Sequence, residues 1–233
     1  MARAPVNPPN VLSKTAATPI RRGLALVRQP SLLGGGPPSP DRSFTSMRRT
    51  TLAGGAWVDH QDGWLAGDDT LFTDLVSRTS WNEHRRPMYD RVVDVPRLTA
   101  THPGDTGGHE LLDHLADLLS ARYGLPLDRV SLALYRDGAD SVAPHGDRIG
   151  RDAERAVVAS VSLGERRRFL LRPADGGGRT LTWNLGGGDL IVMGGTCQRT
   201  WRHAVPKAAG AGPRICVMFR HGPDAIIPGE DPG

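Results

Sequence analysis

Apolar positions along this chain repeat first with helical spacing and later with strand spacing. Leu71, Phe72 and Leu75 make an apolar stripe behind Asp68 and Asp69, either of which can cap a helix running through about Arg78. A second helix is predicted from about Gly108 to Tyr123, with Leu111, Leu112, Leu115, Leu118 and Leu119 on its core face. Gly124 follows as a left-handed cap. Beyond it the period falls to two. Residues 129–136, 157–163, 168–172, 180–184, 189–193 and 214–220 read as short strands between Gly-rich turns. Two helices ahead of a strand-dense half predict an α+β fold: a two-sheet jelly roll, or double-stranded β-helix, with the helices packed on one side. There is no internal repeat.

Composition sharpens this picture at the termini. The 29 Gly and 19 Pro among 233 residues exclude a coiled coil or helical bundle. Residues 1–50, rich in Pro, Ser, Gly and Arg, are expected to form a poorly ordered extension. Order is expected from near Leu52, with one domain over residues 51–223 and a flexible tail over 224–233. The prolines also break any amphipathic targeting helix. No apolar run approaches the roughly 18–20 residues a membrane span needs. Cys197 and Cys216 are too few for a disulfide scaffold or a Cys-rich zinc site.

The formal charge of +4 is unevenly placed. Residues 1–40 contain Arg3, Lys14, Arg21, Arg22 and Arg28 and no acid, which leaves the rest of the chain near neutral. Global basicity is therefore weak evidence for a nucleic-acid partner. Locally, residues 85–97 and 148–172 are richer in Arg than in acid.

The chemistry centres on His145-Gly146-Asp147, with His203 following Asp147 by 56 residues. Two imidazoles and one carboxylate suit a divalent iron that keeps positions open for substrate and oxygen. His60-Gln61-Asp62 has the same spacing but lacks a partner His in strand context. On the strand 214–220, parity puts Arg214, Cys216, Met218 and Arg220 on one face and Ile215, Val217 and Phe219 on the other. Two arginines on a buried face need an anion, which a dicarboxylate co-substrate would supply. The other reading is a pair of surface arginines on an edge strand.

Taken together, Arg85-Arg86-Pro87-Met88-Tyr89-Asp90, Pro96-Arg97-Leu98, Tyr135, His145-x-Asp147, Ser162-Leu163-Gly164, Arg168-Phe169, Gly188-Asp189-Leu190, His203, Arg214 and Arg220 form an ordered set. In this set the chain resembles the AlkB-like family of Fe(II)- and 2-oxoglutarate-dependent dioxygenases. The resemblance implies iron held by His145, Asp147 and His203. It implies Arg214 paired with the distal carboxylate of 2-oxoglutarate, and Tyr135 donating to the same end. Arg220 would lie near the metal-bound carboxylate end and orient Asp147. Tyr89 and Arg97 belong to substrate-facing motifs. Arg167, in a basic turn, is a candidate for phosphate contact or a solvated group. The family pattern has Asn where Ala133 stands and polar residues where Cys216 and Met218 stand. Ile149 replaces an acid that some members direct at the substrate base.

The implied activity is oxidative dealkylation of N-alkylated bases in DNA or RNA. It would use Fe(II), 2-oxoglutarate and O2, and a duplex base would have to flip out to reach the metal. The expected partners are alkylated nucleic acid and 2-oxoglutarate, with no membrane, for a monomer in the cytoplasm. A 2-oxoglutarate oxygenase acting on a protein or small molecule is the alternative, as is a non-catalytic jelly-roll binding protein. Trp57, Trp64, Trp81, Trp183 and Trp201 read as packing residues before stacking ones. His84, His102, His109 and His114 read as surface or satisfied histidines.

Overall fold

In the computed structural model, the protein is described over residues 18–20, 26, 35–83, 85–88, 91–94, 96–147, 149 and 156–222. From Arg129 onward the chain alternates between two antiparallel sheets. The larger has nine strands in the order Thr18–Ile20, Trp81–Glu83, Leu98–Thr101, Arg129–Tyr135, Arg214–Arg220, Val158–Gly164, Leu190–Gly195, Ala56–Gln61 and Arg48–Thr51. The smaller runs Val142–His145, Trp201–Val205, Arg167–Pro173 and Leu181–Leu185. This is the expected jelly roll.

Two cores follow from strand parity. Ile215, Val217 and Phe219 turn outward from the large sheet and pack with Leu71, Leu75, Leu112, Leu115 and Leu119 of the two helices. Tyr135, Phe169, Leu171, Ile191 and Met193 turn inward and fill the space between the sheets. Val158–Gly164 is buried at every position, because helices cover one of its faces and the small sheet faces the other. The two long helices thus lie on one side, which leaves the inter-sheet space to build a site.

Helix α1 spans Asp68–Arg78 and α2 spans Glu110–Tyr123, with Gly124 at φ 71° as the expected left-handed cap. The N-cap of α1 is Gly67, not either aspartate. Asp68 and Asp69 instead occupy the first turn, where the helix dipole favours negative charge. On α2, Leu112, Leu115, Ala116 and Leu119 are buried, while Leu111 and Leu118 flank that stripe and are only partly covered.

Regular structure begins earlier than Leu52, so the expected boundary near residue 50 is corrected. Arg48–Thr51 pairs with Ala56–Gln61, and Ser39–Pro40 pairs with Leu65–Ala66. Phe44 anchors this segment by stacking on Trp64 at 5.9 Å. The remainder of the 1–50 extension and the tail at 224–233 lie outside the described residues. No helix among the described residues is long and apolar enough to cross a membrane.

Candidate metal and co-substrate site

His145 and His203 are direct cross-strand partners in the small sheet, which brings their ring centroids to 4.2 Å. Asp147 Oδ1 lies 3.6 Å from His145 Nε2 and 3.9 Å from His203 Nε2. One donor atom from each residue falls within 4.8 Å of the others, so the three can share one ion. The His145 Nδ1–H donates to the Ala143 carbonyl at 2.8 Å, which leaves the Nε2 lone pair facing Asp147. Phe169 stacks on His203 at 5.7 Å and 14°, fixing the second ring. Burial pushes the His203 imidazole down to about 4, so it is neutral and its lone pair is available at neutral pH. Burial also pushes the Asp147 carboxyl up, but Arg220 and the two imidazoles outweigh it and the net direction is down. The donor set is two imidazole nitrogens and one carboxylate on one side of an open space, which fits iron(II).

Asp147 is held from two directions. Arg220 Nε donates to its Oδ2 at 2.8 Å, and its own backbone N–H donates to Gln198 Oε1 at 2.9 Å. Arg220 is itself fixed by Ser131 Oγ at 2.6 Å. The turn between the two ligands has no room for a side chain, since a Cβ on Gly146 would collide with the Gln198 carbonyl oxygen. Gln198 and Ser131 escaped the sequence reading, and Phe169 entered it only within the Arg168-Phe169 motif, with no role assigned. The glycine between His145 and Asp147 was the one signal of the close approach by Gln198.

The metal cluster opens into a cavity of about 370 Å³ between the sheets. At its far end Arg214 is 1% exposed and donates from Nη2 to Ser162 Oγ at 2.9 Å, while Nε and Nη1 have no hydrogen-bond partner among the described residues. A cation so placed is unfavourable unless an anion meets it. The carboxylate of a cavity ligand is the natural partner, so the residues fit a dicarboxylate running from the metal to Arg214. Tyr135 lies between two cations, with Arg214 and Arg167 carbons 5.5 and 5.7 Å from its ring. Burial, then Cys216, pushes its phenol up against the pull of the arginines, so it remains a hydrogen-bond donor. Ala133, Cys216 and Met218 line the same cavity and offer no carboxamide or hydroxyl.

Of the other expected site residues, Arg97 lines the cavity. Tyr89 lies outside the described residues. Arg167 is corrected: it is 2% exposed and donates to the carbonyls of Asp137, Asp140 and Pro206, out of reach of a phosphate. The reason is parity. The strand begins at Arg167, one residue earlier than expected, so Arg167 points inward with Phe169 and Leu171 while Arg168 points out. His60, Asp62 and Asp189 also gather donor atoms. Asp189 is already committed to the backbone N–H groups of Gly63 and Gly186, and Asp62 is 80% exposed, so this is a turn-fixing carboxylate. His102 is satisfied by Thr106 and Asp113, and His109 Nε2 pairs with Asp74. Trp64 and Trp81 are core residues, and Trp57 stacks on Tyr123.

Comparison with known proteins agrees with this geometry. The profile described as the 2OG-Fe(II) oxygenase superfamily matches residues 97–220, more than half of the chain. The alpha-ketoglutarate-dependent dioxygenase alkB homolog 3 of Bos taurus is 29% identical over 199 residues, covering 76% of this chain and 68% of that protein. The DNA oxidative demethylase ALKBH2 of Homo sapiens is 27% identical over 193 residues, covering 73% of this chain and 71% of that protein. Rattus norvegicus alkB homolog 3 is 37% identical over 159 residues, 60% of this chain and 54% of its own. Among solved structures, OsALKBH1 superposes with a TM-score of 0.53 at 13% identity, over 75% of this chain and all of that one. The epimerase SnoN gives 0.50 at 17% identity, over 76% and 86%. At these identities the two structures speak for the fold alone.

Proposed function

The chain belongs to the 2OG-Fe(II) oxygenase superfamily, whose cofactors are Fe(II) and 2-oxoglutarate, and we propose that it removes N-alkyl groups from bases of DNA or RNA. The relatives at 27–29% identity include a protein named as a DNA oxidative demethylase, which supports this substrate class. One observation of this chain carries it further. On the outer face of the sheet that holds both histidines, Arg172 and Arg202 stand directly opposite each other, with Arg168 exposed nearby. Like charges in direct cross-strand register are destabilising on their own. Among the described residues none of the three has a carboxylate partner. A phosphate backbone lying across this outer face would relieve that repulsion, in place of the contact first considered for Arg167.

In this reading His145, Asp147 and His203 hold the metal, and Arg220 keeps Asp147 ionised and aimed. Arg214, held by Ser162, and Tyr135 seat the distal carboxylate of the co-substrate and so set its direction toward the metal. Phe169 and the Ala143 carbonyl hold the two imidazoles in orientation. Arg97 lines the cavity that an extruded base would enter. The chemistry supplied by the bound iron and co-substrate is oxidation of an N-alkyl carbon by O2, so that a methyl group leaves as formaldehyde while 2-oxoglutarate gives succinate and CO2. Formaldehyde release from a methylated oligonucleotide, dependent on both iron(II) and 2-oxoglutarate, tests the proposal. Succinate formation stimulated by a protein or small molecule and not by any oligonucleotide would replace it.

A further inference from the structure

Cys216 stands two residues from Arg214 on the strand Arg214–Arg220, on the same inward face, and both line the cavity. The arginine leans toward the thiol. Its Nη2 donates to Ser162 Oγ, and Ser162 is the direct cross-strand partner of Cys216. The guanidinium keeps Nε and Nη1 buried and unpartnered. A dicarboxylate seated on Arg214 therefore lies alongside a half-buried sulfur. Tyr135, whose ring is 5.5 Å from the Arg214 guanidinium carbon, lines the same cavity. The second cysteine, Cys197, is fully buried, outside this cavity, with its thiol pushed up to about 12 by desolvation. It is an internal control in the same chain.

We propose that Cys216 is a covalent modification site for unsaturated dicarboxylates, which Arg214 recruits into the co-substrate seat. The sulfur adds to one olefinic carbon of an enedioate, forming a C–S bond. The π pair moves to the neighbouring carbon, which takes a proton equivalent to the one lost by the thiol. No oxidant or reductant is consumed. The product is a dicarboxyethyl thioether whose carboxylates occupy Arg214, so the chain carries a tethered competitor of its co-substrate. Turnover then depends on the ratio of unsaturated dicarboxylates to 2-oxoglutarate. The inference rests on Arg214 seating the co-substrate carboxylate.

The test uses the full chain, fumarate as probe, and intact-mass measurement with peptide mapping. Fumarate should add once, at Cys216 and not at Cys197. 2-Oxoglutarate without iron should slow the addition, and Arg214→Gln should slow it about tenfold or more, the scale of losing a buried charge contact. Dimethyl fumarate, which has the same double bond but no carboxylate, should label Cys216 at a rate that Arg214→Gln does not lower. Cys216→Ser should carry no adduct and, after fumarate is removed, should keep the whole of its own untreated rate. Equal fumarate rates in wild type and Arg214→Gln would overturn the proposal. So would labelling of Cys216 by the ester but not by fumarate, or no labelling by either. Direct calorimetric titration of 2-oxoglutarate separates the two readings. If Arg214→Gln binds it as wild type does, the seat itself is misplaced; if binding is lost but fumarate rates are equal, only the recruitment fails.

Discussion

Replacing Arg214 by Met should separate binding from folding. The side chain is 1% exposed, and its one hydrogen bond is to Ser162. The unpartnered Nε and Nη1 groups each carry a desolvation penalty of about 1–3 kcal/mol. Against this, the ligand-free protein loses a charge-assisted bond to Ser162 worth about 1.5–3 kcal/mol. It also loses a cation–π contact with Tyr135 worth about 0.5–2 kcal/mol. The two sides nearly cancel, so Arg214→Met should leave the stability of the ligand-free protein within about 2 kcal/mol of wild type. Co-substrate binding should respond differently. A carboxylate left without its buried cation loses about 2–5 kcal/mol, or roughly 30-fold to several thousand-fold in Kd. Ala133, Cys216 and Met218 offer nothing to compensate. Denaturant unfolding gives the first quantity. Anaerobic titration of 2-oxoglutarate into the iron(II) protein, followed by its visible charge-transfer band, gives the second. A stability loss above about 3 kcal/mol with unchanged affinity would make Arg214 a structural cation and refute the reasoning.

Four further outcomes are expected. His145→Ala, Asp147→Ala and His203→Ala should each abolish turnover while His60→Ala retains it, because only the first three face the cavity; full activity in any of the three would remove the metal assignment. Gly146→Ala drives a Cβ against the Gln198 carbonyl and should weaken iron binding in a metal titration, and unchanged affinity would show that the turn can yield. Neutralising Arg168 and Arg172 together should lower the salt slope of oligonucleotide binding by about one to two units, alike for all sequences, since phosphate contacts position and do not specify. Burial pushes the Asp140 carboxyl up, but its bonds to Arg136 outweigh this and the net direction is down. Its stabilisation is therefore present above about pH 3.8 and lost as pH falls through the lower folded value, so Asp140→Asn should destabilise at neutral pH and flatten the acid limb of a stability–pH curve.

The helices and the long strands were legible because one side of each is uniformly apolar. Arg214–Arg220 appears in the structure with the bounds its alternation implied, and its two faces separate the two cores as parity required. The strands that carry the chemistry were harder to read. Val142–His145 contains Pro144 and an exposed Ala143, and Trp201–Val205 contains Arg202 and His203. Function displaces the apolar pattern there, so both were missed as strands although their histidines were found. Arg167 failed for a different reason. A run of three arginines has no parity signal of its own, so Arg167 was read as a turn residue, whereas the strand includes it and gives it the inward parity of Phe169 and Leu171. Gln198 is invisible locally because it acts through a bond spanning 51 residues of sequence.

The most direct measurement is mass spectrometry of a panel of N-methylated DNA and RNA oligonucleotides incubated with the protein, iron(II), 2-oxoglutarate and oxygen. The account predicts loss of a methyl group from at least one oligonucleotide, matched one for one by formaldehyde and succinate, and absent with Asp147→Ala. Unchanged oligonucleotides across the panel, with succinate formed only when a protein or small molecule is supplied, would contradict it.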